Sequence, residues 1–244
     1  MALHPDTKQR YDSFVIPSYG RLPLAFVRGQ GAWLYDEDGA AYLDLYPGWG
    51  VNLLGHCHSR VVTALRAQAG TLLHVPNNFH NPLQARLAEA IIQRSFPGKV
   101  FFCNSGAEAV EGALKLARKW GTVQGKWKFI TMENSFHGRT MGALSATGQA
   151  KYHKDFGPLV PGFSYVPFGD LEALRQRLDA ETCAVLVEPI QGEGGVNVAP
   201  RTYFEGMRAL CDAAGCRWPS SAARGRGSTT RTARPTSTST PAGA

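Results

Sequence analysis

The chain has 244 residues, which is enough for one large α/β domain or two smaller ones. Apolar residues make up 43% and charged residues 18%, without an apolar run long enough for a transmembrane helix or a signal peptide core. A cytoplasmic protein is therefore predicted. Of the net charge of +7, five Arg lie in the last 29 residues, which hold no Lys, Asp or Glu. The other residues carry 21 basic and 19 acidic side chains, a net charge of +2 that gives no reason to predict nucleic-acid binding.

The predicted elements alternate between strands and helices. In chain order, the strands are a hairpin of Ala32–Asp36 and Ala41–Leu45, then Lys99–Cys103, Trp127–Met132, Ser164–Pro167 and Cys183–Glu188. The helices are Ser59–Ala69, Pro82–Arg94, Ala107–Trp120, Thr140–Thr147, Leu171–Leu178 (opened by Asp170) and Thr202–Ala214 (closed by Gly215). We expect one face of each early helix to point inward, namely Val61, Val62, Leu65 and Ala69, and Leu83, Leu87, Ala90 and Ile91. The alternation predicts an α/β fold with a mostly parallel sheet and helices on both faces, in which ligands bind at the carboxyl ends of the strands.

The five cysteines, Cys57, Cys103, Cys183, Cys211 and Cys216, form no CxxC pair and no cluster with zinc-ligand spacing. We therefore predict buried reduced thiols and no metal site.

The first candidate motif, Asn104-Ser105-Gly106-Ala107, joins a predicted strand to a helix. A glycine there permits close backbone approach, and the N–H groups of a helix's first turn bind anions such as phosphate. The same residues also suit an ordinary helix cap at Ser105. The motif is neither a Walker A sequence nor GxGxxG.

The second candidate motif, Ser135-Phe136-His137-Gly138-Arg139, follows the strand Trp127–Met132. An aromatic side chain at this edge can stack on a flat ring, and an arginine offers two parallel donors to a carboxylate. Taken singly, Phe136 also suits a core position, Arg139 a surface position, and His137 a structural role.

The third candidate motif, Glu188-Pro189-Ile190-Gln191-Gly192-Glu193, follows the strand Cys183–Glu188. Two carboxylates and an amide in a loop at a strand end are candidates for charge control at a site, although such a loop can also be a simple turn.

Three runs carry a resemblance: NSGAEAVEGALKLARKW, SFHGRTMGALSATGQAKYHKDFGPLVPGF and VLVEPIQGEGGV. In this order they resemble the class III aminotransferases that depend on pyridoxal 5'-phosphate (PLP), with most likeness to the acetylornithine branch. The resemblance covers about residues 15 to 215. It implies PLP-dependent transferase fold type I, in which residues 1–57 contribute to the small domain and residues 58–215 to the large one.

The resemblance also implies roles for individual residues. Ser105, Gly106 and Ala107 would hold the PLP phosphate, Phe136 would stack on the ring, and Glu188 and Gln191 would lie near its edge. Arg139 would bind a substrate carboxylate, Glu193 would act as a gate that pairs with a C-terminal arginine, and Tyr19 and Trp49 would line the pocket or the core. The implied reaction transfers an amino group from N-acetylornithine, or from ornithine or succinyldiaminopimelate, to 2-oxoglutarate, in a homodimer of arginine- or lysine-type amino-acid biosynthesis.

The family pattern includes an Asp-Glu-Val-Gln motif, a Schiff-base lysine and a C-terminal small domain, none of which this sequence contains. From Cys216 onward, 11 of 29 residues are Ser or Thr, and such a composition predicts disorder. We interpret residues 216–244 as an out-of-frame segment and expect a truncated chain without transaminase activity. The alternatives are a non-catalytic PLP-binding or dimerising fragment and a basic tail that binds nucleic acid or membranes.

Overall fold

The computed structural model describes residues 3–46 and 48–216. The chain divides into two units, Met1–Pro82 and Leu83–Ala244. The domain boundary predicted after residue 57 stays a prediction. The predicted disordered tail, residues 216–244, lies outside the described residues apart from Cys216.

The first unit contains a three-stranded antiparallel sheet in the order β1-β2-β3. Its elements are α1 (Pro5–Phe14), β1 (Phe26–Gln30), β2 (Trp33–Asp36), β3 (Ala41–Leu43) and α2 (Ser59–Ala69). The predicted hairpin is confirmed as β2 and β3. Its turn is closed by Asp36, whose Oδ1 accepts the N–H groups of Asp38 at 3.1 Å and Ala40 at 2.8 Å. Helix α1 and strand β1 were not predicted; in β1, the residues Arg28, Gly29 and Gln30 give little strand propensity.

The second unit is built on a three-stranded parallel sheet in the order β5-β4-β6. It also contains a separate antiparallel ribbon of two short strands, β7 and β8, which follow β6 in the chain. Its elements are α3 (Pro82–Arg94), α4 (Gly106–Thr122), β4 (Lys128–Met132), α5 (Met141–Ala146), α6 (Ala150–His153), β5 (Phe163–Val166), α7 (Leu171–Arg177), β6 (Thr182–Leu186), β7 (Ile190–Gln191), β8 (Asn197–Val198) and α8 (Arg201–Ala213). The predicted Asp170 cap is confirmed, because its carboxylate accepts the N–H of Ala173 at 2.9 Å.

Strand β4 is the centre of the sheet and pairs in parallel with β5 and β6. Its residues Phe129 to Met132 are all at most 2% exposed, as expected of a strand covered on both faces. Successive side chains point to opposite faces, so Phe129 and Ile130 belong to two different clusters.

Helices cover the two faces of this sheet. On one face, Ile130 and Met132 pack with Leu174 of α7 and with α8, whose residues Tyr203, Met207 and Cys211 are spaced at helical intervals. On the other face, Phe129 and Cys183 pack with Leu114 of α4. The predicted α/β class and the helices on both faces of the sheet are confirmed.

Two expectations are wrong. The predicted strand Lys99–Cys103 is not a strand, because among the described residues it pairs with no other segment and hydrophobicity alone does not make a ladder. The inward faces of the two early helices are also not buried: Val61, Leu65, Leu83, Leu87 and Ile91 are exposed. Helical periodicity identifies residues that share a face, but it does not show that another element covers them.

No helix among residues 3–46 and 48–216 is long and apolar enough to cross a membrane.

Candidate active site

The first candidate segment lies at the start of α4. Ser105 is the N-cap, and its Oγ accepts the N–H of Glu108 at 3.2 Å. The Glu108 carboxylate in turn accepts the N–H of Asn104 at 2.5 Å, so the start of α4 is capped. The N–H groups of Gly106 and Ala107 precede the first intrahelical bonds. The same turn therefore suits both predicted roles, a helix cap and an anion-binding site. A Cβ placed on Gly106 would have no heavy atom within 4 Å, so the space beside this turn is open.

The loop after β4 carries the second segment, and two buried hydroxyl groups fix its position. Ser135 is fully buried and its Oγ accepts the N–H of Gly148 at 3.0 Å. The N–H of His137 donates to the Thr147 hydroxyl at 2.9 Å. Both bonds tie the loop to the residues that join α5 to α6.

Gly138 brings the first two segments together. It has φ 132°, and a Cβ on it would lie 2.9 Å from the Ala107 Cβ and 3.0 Å from the Ala143 Cβ. Only glycine permits this approach, because a side chain would collide with both alanines and would strain the backbone. The loop of Phe136 and Arg139 therefore rests against the first turn of α4.

The side chains of Phe136 and Arg139 meet on Tyr152, which belongs to α6. The Phe136 and Tyr152 rings are edge to face, with centroids 5.8 Å apart. The Arg139 guanidinium carbon lies 4.0 Å from the Tyr152 centroid and 5.7 Å from the Phe136 centroid. Arg139 is exposed and forms no hydrogen bond or ion pair with any of the described residues.

The third segment provides Glu188 and Gln191 with different surroundings. Glu188 is half-buried, and its Oε2 accepts the N–H of Phe136 at 3.0 Å. Burial raises the pKa of this carboxyl, although the N–H groups of Phe136 and Gly192 partly oppose the shift. Gln191 is 1% exposed, and its amide donates to the Glu133 carbonyl at 2.7 Å. Gln191 thus fixes the loop to the end of β4.

Glu193 points to α6 and is held there by three side chains. Its carboxylate accepts from the Tyr152 hydroxyl and, at 2.5 Å, from the Gln149 amide, and the Lys151 Nζ lies 3.7 Å away. Partial burial raises the pKa of Glu193, but these three partners outweigh it and lower the pKa below the ordinary value.

His137 belongs to the loop after β4, and its side chain is buried. It is 7% exposed, and its Nε2 has no hydrogen-bond partner among the described residues. Burial lowers the pKa of its imidazole to about 4, so the ring is neutral near pH 7.

Tyr19 and Trp49 belong to the first unit. Both rings are exposed: the Arg21 guanidinium lies over Tyr19 at 5.9 Å, and Trp49 is edge to face with Tyr46 at 5.4 Å. Their predicted place in a substrate pocket stays a prediction.

Gln149 and Tyr152 were not predicted as site residues. Both lie in the second run that carried the resemblance, but a short polar stretch gives no periodicity and no motif signal of its own. The position of α6 depends on His153, whose Nε2 lies 3.0 Å from the Leu144 carbonyl and 2.7 Å from the Thr147 carbonyl. These are contacts that the sequence alone does not reveal.

Comparisons with known proteins agree with this architecture. The family model "Aminotransferase class-III" matches residues 15–217. An acetylornithine aminotransferase of Caldanaerobacter subterraneus subsp. tengcongensis is 52% identical over 202 residues, which are 82% of this chain and 51% of that protein. The corresponding enzyme of Aquifex aeolicus is 51% identical over 82% of this chain and 54% of its own length.

A solved structure of the ornithine aminotransferase from Toxoplasma gondii, with PLP at partial occupancy in its active site, is also similar. It superposes with a TM-score of 0.81 at 34% identity, over 88% of this chain and 52% of that one. The chain thus spans about half the length of the curated relatives it matches. The fold is PLP-dependent transferase fold type I, and the chain belongs to the class III aminotransferase family, whose cofactor is PLP.

Proposed function

We propose that this chain binds PLP and a carboxylate substrate at the edge formed by α4, the loop after β4 and the loop after β6. The observation that carries the proposal is the approach of Gly138 to Ala107, since it brings an anion-binding helix start beside an aromatic ring and a free guanidinium. When bound, PLP supplies an electron-accepting ring with which the family's enzymes move an amino group.

The start of α4 fits the phosphate of the cofactor. Gly106 leaves open space at the turn, and the N–H groups of Gly106 and Ala107 are free to donate to an anion. The helix is 17 residues long, so its dipole adds to the attraction. Ser105 lies beside them and can donate its hydroxyl hydrogen while its oxygen caps the helix.

The loops after β4 and β6 fit a flat ring and its surroundings. Phe136 offers a half-buried aromatic face. Glu188 receives the Phe136 N–H and so fixes the backbone of that residue, and Gln191 fixes the neighbouring loop. In this proposal, Glu188 and Gln191 support the cofactor edge more than they contact it.

Arg139 is the proposed ligand of the substrate carboxylate. Its guanidinium carries parallel donors and, in the described part of the chain, contacts only the Tyr152 and Phe136 rings, without a hydrogen bond or an ion pair. Glu193 is the other proposed substrate residue at this edge, and the predicted role of Tyr19 in the first unit stays a prediction. The relatives are named acetylornithine aminotransferases, and this supports N-acetylornithine as the amino donor. The proposed acceptor is 2-oxoglutarate.

Three lysines of the second unit have other partners and do not fit the role of the family's covalent attachment point. Lys128 pairs with Asp179 at 3.0 Å, and Lys126 donates to the Ala214 carbonyl at 2.7 Å. Lys151 is 63% exposed and faces Glu193. We therefore propose that the 244-residue chain by itself holds PLP reversibly and does not complete transamination.

Absorbance tests this proposal. PLP is titrated into the full chain with and without borohydride, and the product is dialysed and analysed by mass spectrometry. We expect saturable binding, loss of PLP on dialysis and no pyridoxyl group on a lysine after reduction. Arg177→Ala, a change at an exposed position of α7, is a control and should bind PLP with the affinity of the parent chain.

Two outcomes contradict the proposal in different ways. Absence of saturable binding would remove the cofactor assignment. A reducible adduct on a lysine, together with conversion of bound PLP by acetylornithine, would show that the chain is active alone.

Self-association is a second candidate function. Helix α3 carries Leu83, Leu87 and Ile91 on one face, and they are 43%, 52% and 41% exposed. An apolar stripe of this kind favours contact with another protein surface, so we propose a homodimer as in the predicted family assembly. Light scattering should give twice the 26.5 kDa chain mass, and the Leu87→Lys variant should give the monomer mass. A monomer in the parent chain contradicts the proposal.

The cytoplasmic location stays a prediction.

A further inference from the structure

Tyr152 contacts two groups of opposite charge at once. Its ring lies under the Arg139 guanidinium at 4.0 Å, and its hydroxyl donates to the Glu193 carboxylate. The Glu193 carboxylate contacts three side chains, those of Tyr152, Gln149 and Lys151. Arg139 is not one of its partners among the described residues. The guanidinium consequently keeps its donors free.

We propose that Tyr152 is a positioning residue that binds Glu193 through its hydroxyl and Arg139 through its ring, so that these two side chains do not neutralise each other before a substrate carboxylate arrives. The inference rests on the proposed function of Arg139 and deepens it. Tyr152 determines whether the site presents a free cation to an anionic ligand.

The geometry supports a preorganised arrangement. Helix α6 is anchored by His153 to two backbone carbonyls, so the Tyr152 ring has a fixed base. Phe136 packs on the edge of the same ring and limits its rotation. Gln149, at the start of α6, donates at 2.5 Å to Glu193 and at 3.1 Å to the Ser135 carbonyl, and thereby holds the carboxylate close to α6.

The charges around Glu193 explain why a single hydroxyl matters. Lys151 attracts Glu193 at 3.7 Å but is 63% exposed, so solvent weakens this attraction. Glu188 lies close enough to be repelled. Without the Tyr152 hydroxyl, Glu193 Oε1 keeps only the weak contact with Lys151, which itself lies 4.6 Å from the Tyr152 centroid. Arg139, on the same ring at 4.0 Å, would then pair with Glu193 and compete with the ligand.

A double-mutant cycle tests the inference. Glutarate, a five-carbon dicarboxylate, is titrated into the full ¹⁵N-labelled chain by NMR for the parent, Tyr152→Phe, Glu193→Gln and the double variant. We expect Tyr152→Phe to bind glutarate about tenfold more weakly, which corresponds to about 1.4 kcal/mol. The double variant should bind glutarate as tightly as Glu193→Gln alone, because glutamine cannot neutralise Arg139 and the loss caused by Tyr152→Phe therefore disappears.

The recovery separates positioning from a merely structural role. If Tyr152 only supported the fold, Glu193→Gln would not restore binding in the double variant, and this result would overturn the inference. Tyr165→Phe is the matched control, since it also removes one hydroxyl bond, to the Ser145 carbonyl at 2.7 Å, and should leave glutarate affinity unchanged.

A second readout needs no ligand. The side-chain N–H signal of Arg139, assigned by its loss in Arg139→Gln, should shift in Tyr152→Phe as the Arg139–Glu193 pair forms and return in the double variant. An Arg139 signal that ignores Tyr152→Phe overturns the inference, even where Arg139→Gln abolishes glutarate binding and the proposed function stands. Conversely, a signal that responds in a chain that does not bind glutarate contradicts the proposed function of Arg139, while the separation of Arg139 from Glu193 by Tyr152 stands.

Discussion

The Oε1 atom of Glu111 in α4 accepts the hydroxyl of Thr140 at 2.6 Å, one residue after Arg139. The same oxygen accepts the N–H groups of Gly142 at 3.0 Å and Ala143 at 3.1 Å. A carboxylate on one helix thus caps the next helix, α5, and fixes the end of the loop that carries Arg139. A Cβ on Gly142 would lie 2.5 Å from a Glu111 oxygen, which explains the glycine at that position.

Removal of this cap should destabilise the second unit. We expect Glu111→Ala to lower the free energy of unfolding by about 1 to 3 kcal/mol, because three donors lose a charged acceptor. Urea denaturation followed by circular dichroism measures the change. Glu205→Ala removes an exposed pair with Arg201 on α8 and should cost less than about 0.5 kcal/mol. Equal losses in the two variants would mean that the cap contributes nothing special.

Gly106 and Gly138 give a matched pair of glycine variants with opposite expected effects. Gly138→Ala places a methyl group 2.9 Å from the Ala107 Cβ at a φ of 132°, and should lower stability by about 2 to 4 kcal/mol. Gly106→Ala meets no atom within 4 Å and should leave stability nearly unchanged.

The Gly106→Ala methyl group would instead occupy the open space proposed for the phosphate. We expect weaker PLP binding in this variant but unchanged binding of pyridoxal, which lacks the phosphate. Thermal unfolding and PLP titration separate the two effects. Unaltered PLP affinity in Gly106→Ala would show that the phosphate lies elsewhere.

Because the pKa of His137 is lowered in the folded chain, we expect the free energy of unfolding to fall in mild acid. Its pKa is about 4 in the folded chain and near 6.5 in the unfolded chain, so the unfolded state binds the proton first as pH falls. The full contribution is therefore present above pH 6.5 and is lost progressively as pH falls toward about 4. Between pH 7 and pH 5 the loss should be about 2 kcal/mol.

Urea titrations at several pH values test this expectation. His137→Gln cannot take up the proton and should remove that part of the pH dependence. His80→Gln, at an exposed position, is the control and should keep it. A His137→Gln variant with the parent's pH profile would show that another group titrates.

The sequence predicted the elements of the second unit better than it predicted their surroundings. Helix α4 and strands β4 and β6 were predicted to within two residues or so, because apolar residues repeat at the right period and Asp170 and Gly215 mark helix ends. Lys99–Cys103 failed because pairing is not a local property. The three motifs were found from glycines, aromatic residues and carboxylates at strand ends. Tyr152 and Glu111 were not, since Glu193 lies 41 residues from Tyr152 and Thr140 lies 29 residues from Glu111.

The thiols predict a reactivity pattern that follows burial. Cys57 and Cys103 are exposed, whereas Cys183 and Cys211 are buried and burial raises the pKa of each to about 11. At pH 8 a thiol of pKa 11 is about a hundredfold less ionised than one of pKa 9, and only the thiolate attacks a disulfide reagent. Burial also raises the pKa of Cys216, which is partly accessible.

Ellman's reagent should therefore label two thiols rapidly in the native chain, one more slowly, and all five in guanidinium. Cys57→Ser and Cys103→Ser should each remove one equivalent from the rapid phase. Cys183→Ser should leave the rapid phase unchanged, because its thiol lies in the cluster between α4 and the sheet, and labelling it requires unfolding. Rapid labelling that persists in the Cys57→Ser/Cys103→Ser variant and disappears on a further Cys183→Ser change would show that this side of the sheet opens in the native chain, contrary to the packing of Leu114 and Phe129 with Cys183.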